Sequence, residues 1–371
     1  MQCLPGISSM SLGRAWVHDM QNKLEEAAKH GFSGVEIFYE DLEYLADSSP
    51  AGRSQPGLKS AAAAVRSMCD RLNLFIINIQ PFSQYEGLRD RSKHDARIEE
   101  LKFWFEVADI LKTDIISIPA NFLPESEITG ELNVIVSDLQ KAADLGAARN
   151  PPIRFNYENL CWSTYIDTWE KCWEVVRKVD RDNFGICLDT FNIAGRVYAD
   201  PTSPSSRTEN ASIDTAASIQ RLVKMIDVRK VFFIQVVDAE RLTEPLTKDH
   251  PYYVEGQPAR MSWSRNCRLF YGEDERGGYL PIKELVKAII NNLEFRGWVS
   301  MELFNRSMAD ADPSVPSEHA RRGMAAWAKI KRDTQLSAPT GPAKNIPHGH
   351  HSFFMPSAST TNTPRKSLKH S

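Results

Sequence analysis

Apolar runs rich in Val, Ile and Phe recur along this chain, and amphipathic stretches separate them. ISSMSL (7–12), GVEIF (34–38), LFIINIQPF (74–82) and DIISIPANF (114–122) predict four strands. IRFNYEN, FGICLDTFN, VFFIQVVDA and WVSMELFN predict four more, carrying Glu158, Asp189, Gln235 and Glu302 towards their ends. Helices are expected over 23–30, closed by Gly31, and near 59–72, 93–111, 131–147, 165–179, 213–226, 281–292 and 317–333. Within 93–111, Ile98, Leu101, Phe105, Ala108 and Leu111 keep the three- and four-residue spacing of one helix face. A polar loop over 47–57, rich in Ser, Pro and Gly, is expected before the helix near 59–72.

Strands separated by single helices favour a parallel sheet. The strands do not alternate strictly between apolar and polar, as expected when both faces are covered. Eight strand–helix units favour a closed (β/α)8 TIM barrel over an open doubly wound sheet, and no GxGxxG follows the first strand. The fold class is therefore α/β, with the barrel over residues 1–335. Two segments leave this rhythm. A long loop runs after strand 7 from Glu240 to Leu280, the length of a lid or binding loop. It carries Arg260, Arg265, Arg268, Tyr252, Tyr253, Trp263, Phe270 and Tyr271, which would face the catalytic end of a barrel. The second is a tail over 336–371, rich in Pro, Ser, Thr and Asn and expected to be disordered, whose HGHH run (348–351) is an adventitious metal binder.

Composition removes several function classes. A net charge of −3 supplies no electrostatic reason to expect nucleic acid or an anionic membrane as partner. No stretch approaches the roughly 20 apolar residues of a membrane span, and the N-terminus lacks a basic-then-apolar signal, so a cytoplasmic location is expected. Six cysteines without a CxxC pair form neither a disulfide framework nor a zinc knuckle, and Cys161, Cys172 and Cys187 sit among apolar and aromatic neighbours as buried thiols.

The chemistry lies at the strand ends. Strand ends of a β/α barrel converge on one face. Glu158, Asp189, Gln235 and Glu302 would gather three carboxylates and one amide there, and the carboxylates would repel without a cation between them. An all-oxygen donor set suits Mg²⁺ or Mn²⁺, with Co²⁺ also possible, better than Zn²⁺. Arg265 and Arg268 offer fork-shaped donors for a carboxylate, and Ser264 a hydroxyl. Arg196 is a weaker anion-binding candidate, and His250 a lone histidine of the long loop.

These residues lie in longer motifs: SMSLGR (9–14), QPFSQYEGL (80–88), PANFLP (119–124), PPIRFNYENLCWST (151–164), NFGICLDTFNIAGRVYADP (183–201), QVVDAE (235–240), PARMSWSRNCRLFYGE (258–273) and GWVSMELFNR (297–306). Through them the chain resembles the fungal 3-dehydroshikimate dehydratases of quinate and shikimate degradation, within the xylose isomerase-like barrel superfamily. The resemblance implies a metal held at Glu158, Asp189, Gln235 and Glu302, and substrate contacts from Ser264 and Arg268. Bacterial relatives carry histidine three residues after the metal-binding aspartate, a proton-transfer group. Here that position is Asn192, whose amide is no base and is left to orient a hydroxyl. Metal-activated water or His250 then stands as the base. The implied reaction is dehydration of 3-dehydroshikimate to protocatechuate without a redox cofactor. The competing expectation is a sugar or hydroxypyruvate isomerase or epimerase on the same barrel. Native metal and oligomeric state are not expressed in the sequence.

Overall fold

Short runs of β-branched and aromatic residues form strands here because each is covered on its outer face by a helix that supplies the matching apolar stripe. In the computed structural model, which describes residues 2–336, ten strands occur: β1 Leu4–Ser8, β2 Gly34–Phe38, β3 Phe75–Gln80, β4 Ile115–Pro119, β5 Arg154–Glu158, β6 Phe184–Asp189, β7 Val231–Gln235, β8 Val237–Ala239, β9 Arg268–Phe270 and β10 Trp298–Met301. Eight of them form a closed parallel barrel in the order β1-β10-β7-β6-β5-β4-β3-β2. Closure is made where β1 pairs with β10 (Leu4↔Trp298, Ile7↔Met301) and with β2 (Gly6↔Gly34). β8 and β9 form a separate antiparallel pair, with Ala239 opposite Arg268. The residues expected to form a tail lie almost wholly outside the described ones.

Outward-facing Ile7, Val35, Ile37, Ile79, Ile116, Ile118, Phe155, Ile186, Leu188, Ile234, Val299 and Met301 are fully buried and belong to one core shared with the helices. A second, smaller cluster joins Ile77, Ile115, Cys187, Phe232 and Phe233, with Phe75 stacked on Trp298 against it. The strands approach closely at Gly6, where a Cβ would come 2.5 Å from the Ile77 Cδ1 atom. Helix ends follow ordinary capping chemistry. The Asp19 carboxylate accepts from the Asn22 N–H to start Met20–His30, and Gly31 ends it at φ 101°, a left-handed conformation that costs glycine little.

The structure departs from the sequence pattern in three places. The first strand runs over Leu4–Ser8, and Ser9–Leu12 forms a 3-10 turn, so the expected strand over 7–12 is shifted. Two helices were not expected. Tyr39–Asp47 starts directly from the end of β2, and Thr190–Val197 directly from the end of β6, with no polar linker to announce either. The segment after β7 is also more ordered than a loop. It holds β8, a helix over Ala259–Cys267 and β9, and its aromatics Trp263 and Phe270 are fully buried. All six cysteines are free and buried.

The segment after β9 is tied to the last long helix, Val315–Thr334, by a buried fork. Arg322 donates from Nε and Nη2 to the two Glu273 oxygens, each at 2.7 Å, and Glu273 also accepts from the Phe270 N–H. Removing Arg322 leaves the buried Glu273 with only the longer Arg276 contact at 3.6 Å, so Arg322→Ala is expected to cost about 3 kcal/mol in urea unfolding. A loss below about 1 kcal/mol, the scale of exposed pairs, would show that this contact is not desolvated.

Candidate active site

Four of the barrel strands deliver oxygen-bearing side chains to one end of the barrel because each carries one at, or one residue past, its C-terminal end. Glu158 closes β5, Asp189 closes β6, Gln235 closes β7, and Glu302 follows β10 by one residue. Register keeps them level: Asp189 lies opposite Gln235, and Gln235 opposite Ser300. Glu158, Asp189 and Glu302 each place a carboxylate oxygen within 4.8 Å of the other two, and all three are buried. Gln235, on the strand beside Asp189, donates from Nε2 to Glu36 at 3.2 Å, and its Oε1 accepts from the Cys187 thiol at 3.5 Å.

Three kinds of group hold the carboxylates together. The first is a cation. Arg268 Nη1 donates to Asp189 Oδ2 at 2.8 Å and to Glu302 Oε2 at 3.0 Å, while its Nε donates to Ser264 Oγ at 3.0 Å. Its guanidinium packs against the Phe191 and Phe304 rings, 4.3 and 5.0 Å from their centroids. The second is an amide. Asn192 Nδ2 donates to Glu158 Oε1 at 2.8 Å and to Asp189 Oδ2 at 3.0 Å, and its Oδ1 accepts from the Cys161 N–H. Both hydrogens of that NH₂ are therefore spent on carboxylates. The third is a helix start. Asp189 Oδ1 accepts from the N–H groups of Phe191 and Asn192, capping Thr190–Val197.

The remaining candidates stand apart from this cluster. Arg265 is exposed and donates to Gln257 Oε1 at 2.8 Å. His250 accepts at Nδ1 from the Tyr252 N–H and lies against the Tyr252 ring. Arg196 pairs with Asp167. Arg260 is bound to the carbonyls of Gly195 and Ala199.

Sequence reasoning missed the layer beneath. Glu36 is fully buried on β2, and Gln80 closes β3. Gln80 Nε2 donates to Glu36 Oε2 at 2.8 Å and to Glu302 Oε1 at 3.0 Å. Asn78, Ser117 and Asn156 continue the polar layer across the barrel, with Asn78 Nδ2 2.6 Å from Ser117 Oγ and that hydroxyl 2.7 Å from Asn156 Oδ1. The available signal was a lone Glu inside GVEIF and a polar pair two residues apart inside FIINIQ.

The electrostatics follow from burial. Desolvation pushes Glu302 up to about 8, with Glu36 and Asp189 adding repulsion and Arg268 opposing it. Desolvation, then the charges of Asp189 and Glu302, hold Glu158 well above the usual carboxylate range. Desolvation also raises Glu36 to about 7, against the pull of its hydrogen bonds. Burial works to lower Arg268, but Asp189, Glu302 and Glu158 together keep it above its ordinary value. One guanidinium cannot balance this many carboxyl groups once they ionise. The donors are hard oxygens, so the residues fit a divalent cation.

The sequence model of the xylose isomerase-like TIM barrel family matches residues 24–330, and the chain belongs to that family. It is 54% identical over 348 residues to a Neurospora crassa protein named 3-dehydroshikimate dehydratase, an alignment covering 92% of this chain and 97% of that one. A Pseudomonas aeruginosa protein of the same name is 29% identical over 286 residues, 77% of this chain but 36% of that longer relative. Among solved structures, the IOLI protein with a bound zinc atom aligns with a TM-score of 0.65 at 17% identity, covering 91% of this chain and 100% of the other, which is a likeness of fold. No helix among the described residues is long and apolar enough to cross a membrane.

Raised carboxyl pKa values carry a stability consequence. Glu36 and Glu302 keep their protons up to about pH 7 and 8 when folded, whereas the unfolded chain releases them near 4.5. The unfolded state then binds fewer protons across that window, so these groups make stability fall as pH rises from about 4.5 to about 8. A divalent cation reverses the trend by favouring the ionised forms. Chelator-treated protein should melt lower at pH 8 than at pH 6, and the Tm gain from Mn²⁺ should be larger at pH 8. An equal gain at both values would count against the cluster as the binding site.

Proposed function

We propose that this member of the xylose isomerase-like TIM barrel family dehydrates 3-dehydroshikimate to protocatechuate, using a divalent cation held by Glu158, Asp189, Gln235 and Glu302. The observation that carries the activity is the 54% identity, over nearly the full length of both chains, to the Neurospora 3-dehydroshikimate dehydratase. What supports the ligand set is the buried, converging group of carboxylates at the C-terminal end of the barrel, beside the Gln235 amide. The cation, Mg²⁺, Mn²⁺ or Co²⁺, supplies a Lewis acid for the C3 ketone and so raises the acidity of the neighbouring C4–H.

The chain's own residues provide the rest. The substrate is a carboxylate, and the pocket contains a fully desolvated guanidinium, which suits an anion better than a neutral sugar. Arg268 keeps Nη2 without a partner among the described residues, so this edge can receive the ring carboxylate while Ser264 fixes Nε. Arg265, exposed on the helix that carries Ser264, is a further candidate contact for an incoming anion. Glu158 holds Oε1 against Asn192, while its Oε2 has no hydrogen-bond partner among the described residues. Glu158 would meet the cation through Oε1, leaving Oε2 to take the C4 proton. The C–H electron pair forms the C4–C5 double bond as the C5 hydroxyl leaves with a proton as water. Loss of a C6 proton and protonation of the C3 oxygen then complete the aromatic ring, so the net change is one substrate to one protocatechuate and one water. Asn192 orients the base by holding its other oxygen, a task for which an amide suffices.

Protocatechuate absorbs in the ultraviolet, so turnover is followed directly with metal-loaded protein. Glu158→Gln keeps an oxygen donor but removes the proton acceptor, and kcat at saturating metal should fall about 10²–10⁴-fold. His250→Ala should leave kcat near the wild-type value. A collapse of kcat in the His250 variant alone would assign the proton to His250, and no product with any of the three cations would overturn the activity itself.

A further inference from the structure

Glu36 is a wholly buried carboxylate that the proposed chemistry does not use. It occupies the inside of β2, where β/α barrels ordinarily stack Val, Ile and Leu, and burying a charged group there is costly. No Lys, Arg or His pairs with it among the described residues. Four neutral donors converge on it instead. Asn78 Nδ2 lies 3.0 Å from Oε2 and Gln80 Nε2 2.8 Å from the same oxygen. Gln235 Nε2 lies 3.3 and 3.2 Å from the two oxygens, and the Ser300 hydroxyl donates to Oε1.

Two of those donors lead straight to the carboxylate cluster. A glutamine amide has one donor end and one acceptor end, and only the acceptor can ligate a cation. In its ionised form, which a bound cation favours, Glu36 accepts and cannot donate. Placing Glu36 under Gln235 therefore commits Nε2 to it and leaves Oε1, whose one other contact is the weak Cys187 thiol donor at 3.5 Å, as the end that can serve the site. Gln80 extends the same control sideways, because its Nε2 bridges Glu36 Oε2 and Glu302 Oε1. Glu302 is thereby held at one oxygen by Gln80 and at the other by Arg268.

We propose that Glu36 is a positioning residue for the cation site, orienting the Gln235 amide directly and Glu302 through Gln80. The inference rests on the reading of Gln235 and Glu302 as ligands. With Glu36 replaced by glutamine, the partner of Gln235 offers both a donor and an acceptor, and the Gln235 amide is free to turn its NH₂ towards the cation.

The test measures metal affinity rather than turnover. Chelator-stripped wild type and Glu36→Gln are titrated with Co²⁺, by calorimetry and by the visible bands of the bound ion, with circular dichroism of the metal-free proteins to check folding. Glu36→Gln should weaken Co²⁺ binding by about 10–100-fold, the usual cost of losing a group that orients a metal ligand, and should change the Co²⁺ bands. The factor should shrink in a Gln235→Met background, because a share of what Glu36 acts through is gone. Glu36→Asp, which keeps the charge but withdraws it by one methylene, gives the same weakening and serves if the glutamine variant does not fold. Wild-type affinity in both folded Glu36 variants, or an undiminished factor in the Gln235→Met background, overturns the proposal. Failure of the wild type to bind any cation overturns the ligand reading itself, and this inference with it.

Discussion

Mutual repulsion among buried carboxylates is the constraint around which this end of the barrel is organised. Glu158, Asp189 and Glu302 sit close together, and the charges of Asp189 and Glu302 raise the cost of ionising Glu158, as Asp189 does for Glu302, in surroundings too dry for water to screen them. A protein tolerates such a cluster only when every oxygen has a donor or a cation to meet. Arg268 meets two of the carboxylates, Asn192 two, and Gln80 one, while the helix start at Thr190 takes the remaining oxygen of Asp189. The excess negative charge that survives is what fits the site to a divalent ion.

The same arithmetic explains the choice of amides. A histidine beside Glu158 and Asp189 would add a titratable group to the cluster. Asn192 adds two donors and no charge, and it sits one turn into a helix whose first N–H groups already grip Asp189. Gln80 and Gln235 add further uncharged donors, each tied to Glu36. An amide at position 192 therefore holds two carboxylates without itself titrating. The antiparallel pair β8 and β9 completes the design by bringing Arg268 inwards from a segment remote in sequence.

The barrel was legible because its signals are local. Strand runs such as GVEIF and helix faces such as 93–111 satisfy period rules over a few residues, and both elements form where expected. Elements that begin without a linker escaped. Tyr39–Asp47 and Thr190–Val197 start in the residue after a strand, so no polar punctuation marks them, and their helical period is hidden beside a stronger strand signal. Glu36 escaped for a different reason. A single acid inside an apolar strand is ambiguous between an edge position and a barrel interior, and only closure of the sheet decides which.

Residue types and their order along the chain were enough to specify eight parallel strand–helix units, four of them ending in oxygen donors, because hydrophobic period and strand polarity are properties of short segments. Which side chains touch was decided by closure and register. Strand pairing sets Asp189 level with Gln235, and chain reversal at β9 puts Arg268 between carboxylates distant from it in sequence. Those contacts depend on distances between segments, and a linear pattern contains no distances.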